Sequence, residues 1–401
     1  RTSRQPRFGF KSRGLGDVYK RQLFASFIPR LPEIRDRVGL SVAGIGLVLA
    51  IAASSGLIGS AIVGPSIERF GTRRVILTSS ALVSLSLAIV GVADVPAILL
   101  VGLAGMATFD VLVDVSMNMQ GSWLSARRHA PVMNRLHGLW SLGTLIGGAA
   151  SSQIAAAGVG LRTHLLLAAA VLLTLLAYVG PGLLRVDESH GPAAEQVTEP
   201  TAIEPTATEP AGTGGTDGAA SPVALSLIAF GLAGFFAVAI ESGATDWAAF
   251  RLSDDFDAGP GLAALGYVAM TVGMTIGRFG GDWASERLGE RRLRELSLVF
   301  VGAGLGVASF VPVEAAVLAG YLSAGLGTAT LIPVLYDQAA KRPGRTGAGL
   351  GALTAGLRVA ILAVPVLVGG LAGTFDSVGL AVALVTLPSV VGFSFATRRL
   401  P

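Results

Sequence analysis

The chain has 401 residues, of which 52% are hydrophobic and only 14% charged, whereas soluble domains average about 25% charged. That balance excludes an ordinary soluble domain and predicts an all-α integral membrane protein. The absence of cysteine excludes a disulfide framework, a thiolate metal site and a cysteine nucleophile. The net charge of +4 sits in short basic loops between apolar runs and is no footprint for nucleic acid.

Residues 1–22 are basic and polar, and KSRGLGDVYKRQ resembles translated adapter or cloning sequence. They are set aside as non-native. A spanning helix needs about 20 apolar residues, so the short apolar stretch from Leu23 to Pro29 is the truncated end of a first span. From Ser41 the chain becomes regular. Spans 2 to 6 are predicted near 41–63, 75–92, 96–124, 133–157 and 164–179. Residues 185–222 are rich in Pro, Thr, Ala and Gly, with seven acids and one arginine. Such a segment cannot bury a core and reads as a disordered linker. Spans 7 to 12 follow near 223–250, 261–281, 293–311, 314–339, 346–372 and 378–395. The expected architecture is an N-terminal six-helix bundle (23–183), a linker (184–222) and a C-terminal six-helix bundle (223–401).

Basic residues set the expected orientation. The loops after spans 2, 4, 6, 8 and 10 and the C-terminal tail hold fifteen Lys and Arg, against five in the opposite loops. The positive-inside rule places the richer set in the cytoplasm. A multi-pass protein of the cytoplasmic membrane is predicted, with linker and C-terminus inside. An internal repeat supports two halves: Glu68-Arg-Phe-Gly-Thr-Arg-Arg74 recurs as Glu286-Arg-Leu-Gly-Glu-Arg-Arg292, an offset of 218 residues. Gly102 and Gly320 share that offset, as do Gln120 and Gln338. Two like bundles related by an axis along the membrane normal would hold a site between them near the midplane.

Span 4 carries the densest polar pattern. Asp110, Asp114 and Asn118 are spaced i, i+4, i+8 and form one stripe on a helix. A carboxylate near the membrane centre costs about 3 kcal/mol on insertion scales. Two on one face mark either a wet functional cavity or a stripe that bonds a neighbouring helix. Arg358, near the middle of span 11, needs a partner or an anionic ligand. Glu241 is a cavity candidate in the outer half of span 7, and Asp246 lies closer to the external surface. Arg278, near the inner end of span 8, would snorkel or join a gate. His137 in span 5 could relay protons or tie spans 4 and 5 together. Trp140 could stack a sugar or cation or simply pack. Gly143, Gly147 and Gly148 suit close helix packing.

Gly64-Pro-Ser-Ile-Glu-Arg-Phe-Gly-Thr-Arg-Arg74 resembles the loop 2–3 signature of the major facilitator superfamily, G-x-x-x-D-R-x-G-R-[RK]. Glu68 replaces the usual Asp and Thr72 a basic residue. The resemblance implies two six-helix bundles and a cytoplasmic latch. Glu68 would be the latch acid, Arg69 and Arg73 its charged companions, and Gly71 a tight turn; Gly64 opens the motif. Glu286, Arg287 and Gly289 would form the second copy. Within span 4, Asp114-Val-Ser-Met-Asn118 is similar to the E-x-x-x-N pattern of fucose-permease-like proton symporters. Pro131-Val-Met-Asn-Arg-Leu-His-Gly-Leu-Trp-Ser-Leu-Gly143 resembles a run found in uncharacterised transporters near that branch. By position Asp114 would inherit the proton-carrying carboxylate, with Asp110 in reserve. The antiporter signature of span 5 is half present, since Gly143, Gly147 and Gly148 lack its proline.

These observations predict a secondary active transporter, a proton-coupled symporter of a small sugar-like solute. A proton-coupled exporter of drugs or metabolites is the alternative. A membrane enzyme or sensor using Asp110, Asp114 and His137 is a third reading. No P-loop or His/Cys metal cluster is present in the sequence, so no cofactor is expected. The expected partners are a small-molecule substrate, protons and the lipid bilayer, with the protein acting as a monomer.

Overall fold

The computed structural model describes residues 23–128, 133–183, 222–340, 347–398 and 400. The segments 1–22 and 184–221 lie outside the described residues. Every regular element among those described is helical. The helices are α1 (Leu31–Arg37), α2 (Val42–Ser54), α3 (Gly56–Val92), α4 (Pro96–Arg128), α5 (Met133–Ala156), α6 (Leu161–Val179) and α7 (Pro222–Thr245). They continue as α8 (Ala248–Phe256), α9 (Pro260–Leu288), α10 (Glu290–Phe310), α11 (Glu314–Thr328), α12 (Leu331–Ala340), α13 (Ala348–Phe375) and α14 (Val378–Thr397). Among the described residues, nine helical stretches are long and apolar enough to cross a bilayer. One of them, Val42–Val92, has 51 residues and turns back on itself, so it supplies spans 2 and 3. With α5 and the helical residues 23–27, the chain makes the two six-helix bundles of the major facilitator fold.

The turn within α3 is a single residue. Gly71 has φ 75 and ψ 153, and the helix runs unbroken on either side. This region of φ/ψ is open essentially to glycine, and another residue would be strained by about 1–3 kcal/mol. Gly289, its repeat mate, has φ 78 and ψ 153 and separates α9 from α10. The repeat extends into the packing. A Cβ on Gly102 would lie 3.1 Å from the Ser86 carbonyl oxygen and 3.0 Å from the Val90 nitrogen. A Cβ on Gly320 would lie 2.6 Å from the Gly304 oxygen and 2.7 Å from the Ala308 nitrogen. Each partner is displaced by the same 218 residues. In both halves a missing side chain lets two backbones touch, the usual device where helix association cannot rely on a hydrophobic driving force.

Several spans are interrupted where the hydropathy is continuous. Span 2 breaks at Ser54–Ser55, where the Ser55 hydroxyl donates to Ala104 O at 2.8 Å and the Thr108 hydroxyl donates to Ser55 O at 3.1 Å. Span 10 breaks between α11 and α12 at Ala329–Thr330. The apolar run of span 7 turns at Asp246–Trp247 and continues as α8 to Phe256.

The halves meet tightly at one end, that of the loops following spans 1, 5, 7 and 11. There α2 lies on α13, and Gly46 abuts the carbonyl oxygen of Pro365 with no room for a Cβ. α5 lies on α9, with Ser152 Oγ donating to Gly261 O at 2.8 Å and Gly148 against the Tyr267 ring. Arg35 forms an ion pair across the halves with Asp254, and its guanidinium sits 5.4 Å from the centre of the Phe250 ring. Burial pulls the Arg35 pKa down, but hydrogen bonds and charge from Asp254 and Asp36 outweigh it and raise the value above the ordinary one.

Candidate functional site

Between the halves, and open away from the tight end, is a polar region built from two adjoining parts. The first gathers residues from four helices. α4 supplies Asp114, α3 supplies Ser60, α12 supplies Tyr336 and α13 supplies Arg358. The Arg358 guanidinium donates to Ser60 Oγ at 3.3 Å, a bond that crosses from one half to the other. Tyr336 is hydrogen-bonded to Thr354 and lies within the electrostatic reach of both Asp114 and Arg358. Asp114 and Arg358 are both exposed, one on each half. Asn118, one turn further along α4, is exposed as well, and Asp110, one turn back, is half-buried.

The second part is a cavity of about 250 Å³ lined mainly by α7 and α9. Glu241, Ser242 and Thr245 line it from the first, Asp246 from the turn that follows, and Tyr267, Thr271, Thr275 and Arg278 from the second. Ile28 and Thr144 complete it from the other half. Glu241 Oε1 stands 3.9 Å from Arg278, an ion pair beyond hydrogen-bond length. The two parts adjoin. Ile332 lines the cavity and lies one turn from Tyr336, while Ile361 lines it one turn from Arg358. Residues so spaced have Cβ atoms about 5–6 Å apart.

Asp246 lines the cavity from the turn where α7 gives way to α8. Arg278 lines the same cavity and pairs with Glu241, ten residues before α9 ends at Leu288.

The loop 2–3 residues sit at the opposite end from the tight contact. Glu68 and Arg69 are exposed, and Glu68 makes no ion pair among the described residues. Arg69 lies over the Phe70 ring, and Arg73 donates to Gly180 O at 3.3 Å within its own half. Glu286, Arg287 and Gly289 are exposed, with Arg287 over Trp283. A Cβ on Gly64 would meet nothing within 4 Å. A latch between these loops is not formed in this conformation. His137 and Trp140 fall on α5, but their side chains lie outside the described residues.

Sequence reasoning passed over Tyr336, Ser60, Thr271 and Thr275. Each lies in an otherwise apolar run where a single hydroxyl does not disturb hydropathy. The spacing Tyr267-x3-Thr271-x3-Thr275 is the one signal that could have found a polar face on span 8.

Residues 22–365 match the Major Facilitator Superfamily. The chain belongs to that superfamily. The transporter is 23% identical to an uncharacterized MFS-type transporter of Yersinia pestis, over 84% of this chain and 79% of that one. It is 25% identical to the membrane protein MosC of Rhizobium meliloti, over 79% and 72% respectively. The nucleoside transporter NupG superimposes with a TM-score of 0.74 at 12% identity, covering 98% of this chain and 99% of the other. A bacterial homolog of the human lysosomal transporter Spinster, in an inward-facing and occupied conformation, gives 0.69 at 14% identity, covering 99% and 96%. At such identities these structures speak to fold alone.

Proposed function

We propose that this secondary transporter is a proton-coupled symporter that takes up a small sugar-like solute, with Asp114 as the carrier of the coupling proton. The observation that supports this most is that Tyr336 lies within the electrostatic reach of both Asp114 of one half and Arg358 of the other, with Arg358 bonded across the halves to Ser60. A carboxylate that must cross the membrane exposed to a changing cavity needs either a proton or a cation beside it. Arg358 supplies the cation. When the cavity faces outward, Asp114 is protonated and substrate binds nearby. The halves then rock without carrying a bare charge. After substrate and proton leave, Arg358 holds the carboxylate during the return. Asn118 steadies Asp114 or meets a substrate hydroxyl. Asp110 is a second acid in the same stripe, so the two titrate as a pair.

In this reading the tight end is extracellular and the open end cytoplasmic, because the basic loops lie at the open end. Residues 184–222 then form a cytoplasmic linker between bundles 23–183 and 223–401, and the protein works as a monomer in the cytoplasmic membrane. Protease added to inverted vesicles is expected to cut the chain once, within 184–222, and to spare it in right-side-out vesicles. The reverse pattern would invert the orientation.

The alternative is a proton-coupled exporter of drugs or metabolites. Uptake into proteoliposomes separates the readings. An imposed inward proton gradient is expected to drive accumulation of a bound monosaccharide, and a protonophore to abolish it. Accumulation driven only by an outward gradient would turn the protein into an exporter.

A further inference from the structure

We infer that Arg35 and Asp254 form a charge clasp that holds the outer end shut and is split each time the empty carrier turns outward. Arg30 and Arg251 are the positioning residues that fix its two sides. The inference rests on the transport reading above for which end is outer and for the need to open there.

Each half carries a short helix directly after its first span, α1 in one and α8 in the other. Arg30-Leu31-Pro32-Glu33 runs into the first, and Arg251-Leu252-Ser253-Asp254 lies within the second. The helices that follow, α2 and α9, start at Val42 and Pro260, 218 residues apart, which is the offset of the repeat. Place, rather than the short string, makes the two segments mates. Both arginines are buried, and each is spent inside its own half. Arg30 donates to Val159 O and to His164 Nδ1, both at 3.1 Å, and pairs with Glu33. Arg251 donates to Ala308 O at 3.1 Å and pairs with Asp255, which accepts from the Val378 and Gly379 nitrogens at 3.0 and 2.7 Å. His164 is in the first turn of α6, and Val378 and Gly379 open α14. Each short helix is thus stapled to the start of the last span of its own half. A buried guanidinium needs such partners, so it holds the short helix in one place.

From each of these fixed plates one charge reaches across. Arg35 leaves α1, meets Asp254 on α8 and lies against the Phe250 ring of the same helix. Asp36 orients it by accepting from Arg35 Nε at 2.8 Å. With the halves together, the Arg35 and Asp254 side chains are only 12% and 17% exposed. An ion pair open to water contributes little, because solvent and salt answer both charges whether or not they meet. A shielded pair behaves differently. Removing one partner leaves the other charge without water or counter-charge, whereas removing both costs little. That penalty exists only while the halves touch, since each charge regains water once they part. The clasp therefore penalises any closure in which Arg35 and Asp254 miss each other, and the two stapled plates bring them into register.

The test is a distance measurement on the purified, reconstituted protein, with no substrate and no pH gradient. Spin labels go on cysteines introduced at Val95 and Val313, both exposed, in the turns before α4 and α11 at this same end. In the parent a closed, shorter-distance population should dominate. Arg35→Gln should raise the ratio of open to closed at least about fivefold. Asp254→Asn should act in the same direction but less, because Asp36 still answers Arg35. The double variant should shift less than Arg35→Gln alone, since neither charge is then left stranded. Loss of packing alone would make the two changes add. A second cycle reads the positioning role. With Arg251→Gln in place, adding Asp254→Asn should change the ratio by less than about twofold, because Asp254 is already out of register. Unchanged melting temperatures establish that the variants are folded. Should Arg251→Gln fail that control, Arg30→Gln combined with Arg35→Gln on the other plate is read in its place. Unchanged distances in Arg35→Gln, or additive effects of the two single changes, would overturn the clasp. An undiminished effect of the second change in the Arg251→Gln or Arg30→Gln background would overturn the positioning role. Failure of the proton reading looks different, because it shows in gradient-driven uptake, which these labels do not sense.

Discussion

Asp114→Asn is expected to abolish uphill accumulation while leaving exchange of substrate across the membrane intact. The amide imitates the protonated acid, which is the form that crosses loaded with substrate. With one proton per substrate, an inward gradient of one pH unit sustains roughly tenfold accumulation, because a factor of ten is worth about 1.4 kcal/mol. In the variant the ratio should fall to about one under the same gradient, since no proton moves with the solute. Counterflow of labelled substrate, which needs only the loaded crossing, should persist. The neighbouring acid provides the control. Asp110, half-buried one turn away on α4, is the other group able to carry the proton. If uphill transport survives in Asp114→Asn and dies in Asp110→Asn, the carrier is Asp110. If both variants accumulate normally, the coupling is not to protons. Arg358→Gln adds a sign. Without that cation, returning the deprotonated carboxylate costs more. Net uptake should then slow more than exchange does.

The parts of the molecule that were readable in the sequence share a physical cause. A bilayer imposes a minimum apolar length, so apolar runs announce spans, and the fold follows from their number and from the repeated block. Residues of that block adopt one conformation in both halves because the turn needs glycine at Gly71 and Gly289. Hydropathy reports where the chain leaves the membrane, however, and not where a helix ends. Residues 64–70 and 72–74 looked like loop because they are charged, yet Glu68, Arg69 and Arg73 are good helix formers and the helices run through them. The turns at Ser54–Ser55, Asp246–Trp247 and Ala329–Thr330 cost nothing in hydropathy, because other backbone and hydroxyl groups satisfy the freed hydrogen bonds. Asp114 and Arg358 were visible because an isolated charge in an apolar run has so few explanations. The α9 threonines were not visible, since a hydroxyl can spend its proton on its own helix and pass as apolar, and neither was Tyr336, whose partner Thr354 lies on another helix. The pairing of Arg35 with Asp254 was out of reach for another reason. It joins residues 219 apart that come together only when two bundles close at one end.

That closure sets up the second large effect. Gly46→Leu is expected to prevent the tight end from closing and so to stop turnover. At Gly46 even a single carbon would run into the carbonyl oxygen of Pro365 on α13, with Gly369 Cα only 3.3 Å away. The obstacle is backbone on both sides, so no side chain can swing aside. Overpacking of this kind costs about 1–3 kcal/mol, and that cost falls only on the state in which the halves touch here. A difference of that size moves a two-state balance roughly 5- to 150-fold, toward the form open at this end. The chain contains no cysteine, so spin labels on cysteines introduced at Leu40 and Ala258 would report on the closure directly. In the parent protein these labels should show a short-distance population. In Gly46→Leu that population should shrink and a longer one take over, with uptake and counterflow falling together. Gly370 is the matched control. It lies on the same helix, one residue beyond Gly369, and a Cβ there meets nothing within 4 Å, so Gly370→Leu should leave both distances and transport unchanged. An unaltered distance distribution in Gly46→Leu, with transport retained, would mean that the α2–α13 contact is not the surface on which the transporter closes.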